Sequence, residues 1–99
     1  MKVIVQKFGG TSVANVERIK NVAKKVINEI NNGYHVVVIS SAMAGETDRL
    51  LNLAFEVTDT PSKRELDMLV ATGEQVSIAL LAMSLEHMGH HAISMTASQ

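Results

Sequence analysis

Cysteine and tryptophan are absent from this 99-residue chain, proline occurs once, and aromatic residues make up only 3% of it. Without cysteine there are no disulfides and no thiolate chemistry, which suits a cytoplasmic setting. With so few aromatics, aliphatic side chains and the six methionines must fill the core. Charge is nearly balanced: the formal net charge is −1, without the basic stripe that nucleic acid favours. No unbroken apolar run approaches the ~20 residues of a membrane span, so no membrane partner is expected. One lysine followed by a strand-like run does not make a signal peptide. With 46% hydrophobic residues, the expectation is a small soluble α/β domain, or part of a larger one, with a thin margin of stability.

Hydrophobic spacing gives the order of elements. Val3 to Phe8 reads as a short strand apolar enough to be buried on both faces. Val13, Val16, Ile19, Ala23, Val26, Ile27 and Ile30 then recur at helical spacing, with Glu17, Arg18, Lys20, Lys24, Lys25 and Glu29 on the other side. Gly33 supplies a left-handed stop. His35 to Ile39 is a β-branched run typical of a central strand. Strand, helix, strand in this order predicts a parallel βαβ unit. A second helix is expected from about Thr47, ending before Pro61. Ser62-Lys63-Arg64-Glu65 forms a capping box that opens a third. Thr72-Gly73-Glu74-Gln75 repeats the capping-box pattern and predicts a break or kink. Gly89 closes the helical stretch, and His91 to Met95 is expected to be a third strand.

Chemistry concentrates where the strands end. Lys7-Phe8-Gly9-Gly10-Thr11-Ser12-Val13 follows the first strand directly. Glycines let backbone N–H groups approach an anion, and the start of a following helix aims further N–H groups at the same spot. Lys7 adds a mobile positive charge, and Thr11 and Ser12 add hydroxyls. The lysine precedes the glycines, so this is not a Walker A loop. Ser40 to Thr47 is the second loop at a strand's carboxyl end, where open parallel sheets bind ligands. Both loops should face one crevice. His87, His90 and His91 are better read as solvated histidines near a helix end than as metal ligands, because Gly89 interrupts them and no fourth ligand is in sight.

The residues Lys7 to Val13, then Ser41-Ala42-Met43-Ala44-Gly45-Glu46-Thr47, then Gly73-Glu74, and finally Ser94-Met95-Thr96-Ala97-Ser98-Gln99, resemble the aspartokinases, a branch of the amino acid kinase family. The likeness runs the whole length of the chain. It implies a three-layer αβα fold with a mainly parallel sheet, of which these residues form an incomplete portion. It also implies phosphoryl transfer from Mg-ATP to the side-chain carboxylate of L-aspartate, giving 4-phospho-L-aspartate. By resemblance Lys7 meets the transferring phosphate, Gly9, Gly10 and Thr11 belong to the phosphate loop, and Ser12 places a hydroxyl beside the reacting groups. Ser41 and Thr47 match positions that hold aspartate, and Glu74 matches the glutamate that takes its α-amino group. Structural roles are open to three of these: Ser12 and Thr47 as N-caps, Glu74 as a first-turn carboxylate.

Family members are several times longer. Residues 1–99 correspond to the amino-acid-binding portion of the kinase domain, without its nucleotide-binding half, its metal-organising aspartate or its ACT domains. The expectation is a chain inactive alone, with an unfinished sheet whose apolar surface and free edge favour a homo-oligomer. Kinases of the same family acting on glutamate, acetylglutamate, carbamate or UMP, and a non-catalytic binding or assembly role, are the alternatives.

Overall fold

The computed structural model describes residues 2–96 as two strands and three helices. β1 (Lys2–Phe8) and β2 (Tyr34–Ser40) run parallel and in register from Lys2 opposite Tyr34 to Phe8 opposite Ser40. Between them runs α1 (Val16–Asn31), giving the expected βαβ unit. Then come α2 (Glu46–Val57) and α3 (Lys63–His87). Helix ends follow local chemistry. Asn15 caps α1 by accepting the Arg18 N–H at 2.9 Å, and Gly33 leaves it at φ 93°. Ser62 Oγ accepts the Glu65 N–H at 3.4 Å to open α3, and Gly89, at φ 89°, lies just past its end.

The core forms where α1 and α3 cross one face of the sheet. Ile19, Val22, Ala23 and Val26 of α1 meet Leu81 and Leu85 of α3, with Phe8, Val36 and Val38 packed beneath. Val13 is fully buried in the same cluster although it precedes α1, so it plugs the first loop into the core. Burying a valine is worth roughly 1.5–3 kcal/mol. The other sheet face is different. Val3, Val5, Val37 and Ile39 alternate with the inward residues and are about half exposed. Neither strand is therefore covered on both faces among the described residues, which supply the sheet and one helical layer of the expected three.

Two sequence expectations change, and one feature is added. α3 runs unbroken through Gly73: a Cβ there would lie 3.1 Å from the Ala42 Cβ and 3.4 Å from the Leu50 Cδ1. That glycine serves close packing of α2 and the second loop on α3, not a break. The Thr72 hydroxyl donates back to the Leu69 carbonyl at 2.6 Å instead of capping. Residues 91–96 carry no strand, because no ladder of backbone hydrogen bonds forms along them. The remaining Ala97-Ser98-Gln99 part of the expected loop lies outside the described residues. Finally, α3 is by length and composition apolar enough to cross a membrane, with mean hydropathy 1.5 over 18 residues. A search for unbroken apolar runs overlooks it because Glu74, Gln75 and Ser77 interrupt the sequence. Its buried residues, Gly73, Ser77, Leu81 and Leu85, are committed to packing within the domain.

Candidate functional site

At the carboxyl ends of the strands, an open cleft of about 360 Å³ is lined by Lys7, Phe8, Gly9, Ile39, Ser40, Ser41 and Glu74. Four of the residues singled out by sequence, Lys7, Gly9, Ser41 and Glu74, thus meet there from β1, both strand–helix loops and α3. Lys7 and Glu74 are exposed, and among the described residues neither side chain makes an ion pair. A cation and an anion standing unneutralised in one cleft suit a ligand that carries both signs of charge.

The loop after β1 turns over Gly9 to Ser12. The N–H groups of Ser12 and Val13 both donate to the Gly9 carbonyl, at 3.0 and 3.3 Å. Those of Gly9, Gly10 and Thr11 donate to no protein group among the described residues, so they are available to an anion. A Cβ at Gly9 would meet nothing within 4 Å, which leaves open space beside the backbone. The Arg18 guanidinium donates to the Thr11 carbonyl at 3.3 Å and steadies the turn. The helix start stands further off than expected: α1 begins at Val16, after this turn and its own Asn15 cap. Gly10, Thr11 and Ser12 do not line the cleft, although Gly10 packs over the second loop, with its Cβ position 3.7 Å from the Ala42 carbonyl oxygen.

The loop after β2 is tied on every side. Its Ser41 N–H donates to the Phe8 carbonyl at 3.0 Å, and its Ala44 N–H donates to the Ala14 carbonyl of the first loop at 3.1 Å. Ser40 and Ser77, both buried, donate to the Ser41 carbonyl at 3.1 and 2.6 Å. Sequence reading missed these two hydroxyls, and only the two serines that interrupt the apolar stretch Val76–Leu85, Ser77 and Ser84, hint at one of them. Gly45, left-handed at φ 77°, caps α2. Thr47 is the second residue of α2, exposed and outside the cleft lining.

The purely structural roles open to three residues are not taken. Asn15 and Gly45 are the caps, not Ser12 and Thr47, and Glu74 lies in the middle of α3. Charges on α2 and at the start of α3 are paired within their own helices. Glu46 accepts from Arg49 at 2.8 and 3.2 Å, which holds its carboxyl below the usual range and raises the guanidinium in return. Lys63 is raised by its bond to Asp67. Among the described residues no three His, Asp or Glu side chains gather as metal ligands.

The model of the amino acid kinase family matches residues 2–99. An aspartokinase of Geobacillus stearothermophilus is 60% identical over 99 residues, which are all of this chain and 24% of that relative. An aspartate kinase of Pseudomonas putida is 56% identical over the same span, again 24% of its length. A crystal structure of aspartate kinase from Synechocystis superposes with a TM-score of 0.90 at 48% identity, covering 96% of this chain and 16% of that one. The chain spans about a quarter of the length of the curated relatives it matches.

Proposed function

The chain belongs to the amino acid kinase family, and on that premise we propose that its cleft is the amino-acid and phosphate end of an aspartate kinase site. One observation carries this reading: Lys7, Gly9, Ser41 and Glu74, far apart in sequence, line one cleft. Glu74 takes the substrate's ammonium and Ser41 holds its polar groups; Thr47 and Ser12 stand outside the cleft lining, and family resemblance alone gives Thr47 a part in holding aspartate and Ser12 a hydroxyl near the reacting atoms. The side-chain carboxylate of aspartate has a reference pKa of about 3.9, so at neutral pH it attacks without a general base. The one carboxylate in the lining, Glu74, is then left to the ammonium.

ATP supplies the phosphoryl group, and Mg²⁺ carried on its phosphates neutralises charge. The free N–H groups of Gly9, Gly10 and Thr11 fit phosphate oxygens, and Lys7 stabilises the charge that develops on them. In this reading residues 1–99 are the amino-acid-binding portion of a kinase domain, and the adenine and ribose pocket lies in other sequence. The half-exposed Val3, Val5, Val37 and Ile39 support a homo-oligomer or further covering layer over the open sheet face.

The test is a chimera in which this chain replaces the first 99 residues of the 60% identical relative. ADP release that depends on L-aspartate and is lost in Lys7→Ala is expected. Release indifferent to Lys7→Ala, or a preference for glutamate over aspartate, contradicts the proposal.

A further inference from the structure

Among the described residues only two polar side chains are buried, Ser40 and Ser77, and both donate to one oxygen, the Ser41 carbonyl. A carbonyl has two lone pairs, and here both are occupied. The same residue's N–H donates to Phe8 at 3.0 Å, between Lys7 and Gly9. Ser77 sits one turn beyond Glu74 on α3. Ser41 is therefore tied on one side to the strand that carries Lys7 and on the other to the helix that carries Glu74.

A serine here has a cost to offset. It is a poorer helix former than alanine, and an unbonded buried hydroxyl would be penalised further. Alanine would occupy nearly the same space. What the hydroxyl adds is the 2.6 Å bond to the loop. It has a second acceptor as well, the Glu74 carbonyl at 3.0 Å in its own helix. One proton cannot serve both fully, so the shorter bond to Ser41 takes it. If the loop withdraws, the hydroxyl turns to Glu74 and is not orphaned, which makes the tie releasable.

We propose, resting on the aspartate-kinase reading of the cleft, that Ser77, seconded by Ser40, is a positioning residue. It fixes the Ser41 loop to α3 and so sets the separation between the phosphate side and the ammonium side of the site.

Amide hydrogen exchange and L-aspartate titration of the 99-residue chain, as wild type, Ser77→Ala and Ser77→Cys, test this. In Ser77→Ala the Ser41 and Ala44 amides should exchange about tenfold faster while β1–β2 amides keep their rates, the size of effect one lost hydrogen bond gives. L-aspartate affinity should fall in step, with the weak S–H donor of Ser77→Cys in between. Unchanged loop exchange overturns the proposal. So does uniform acceleration of all amides, which marks a packing role, or a loosened loop with undiminished affinity. If the wild-type chain does not bind L-aspartate, the reading of the cleft fails, and the exchange data alone decide whether Ser77 holds the loop.

Discussion

The loops after β1 and β2 leave the same sheet edge, yet they are held in opposite ways. The first closes on itself through Gly9 and keeps three N–H groups unspent, with Val13 as its anchor in the core. The second is bonded to β1, to the first loop and to α3, and packs against Gly73 so closely that even a Cβ there would press on Ala42. A phosphate loop needs donors free and space open. A loop that sets distances between charged groups needs its backbone committed. The glycines divide accordingly: Gly9 faces open space, and Gly73 leaves room for protein.

The sharpest way to break this contrast is Gly73→Val. Branched methyls would crowd Ala42 and Leu50, which a bare Cβ would already approach to 3.1 and 3.4 Å. A loss of about 1–3 kcal/mol is expected, read as a fall in thermal midpoint. Gly45→Ala should cost roughly 1–2 kcal/mol, because its φ of 77° is left-handed. The loss should be accompanied by faster exchange at the start of α2. Gly9→Ala should leave stability within about 0.5 kcal/mol, because its Cβ meets open space. In the kinase chimera it should nevertheless lower turnover. A destabilised Gly9→Ala, or a fully tolerated Gly73→Val, would erase the distinction between the loops.

Glu46→Gln should have the smallest effect. Its carboxyl is depressed by Arg49, so the pair's contribution is present above the ordinary glutamate pKa and is lost as pH falls through the lower folded value. Denaturation midpoints of wild type and Glu46→Gln should differ slightly at neutral pH and converge in acid.

Much of the scaffold was legible from local chemistry. The βαβ order, the Gly33 and Gly89 stops and the Ser62 capping box need only neighbouring residues to act. Gly73 misled because a glycine that admits a neighbour and one that ends a helix look the same until the neighbour, Leu50 or Ala42, is known. Residues 91–95 misled because β-propensity does not by itself dock a segment onto a strand edge, even where one is free. Lys7, Gly9, Ser41 and Glu74 were found through the loops' place at the strand ends and through family resemblance. Ser40 and Ser77 were not, because what matters in them is a carbonyl thirty-six residues from Ser77.

The most direct measurement is an L-aspartate titration of the ¹⁵N-labelled chain, with Glu74→Ala beside it. Saturable amide shifts at Lys7, Gly9, Ser41 and Glu74 together, absent from the variant, are the predicted result. No shifts at these residues, or shifts that survive Glu74→Ala, would contradict the convergence of the two loops and α3 into one amino-acid site.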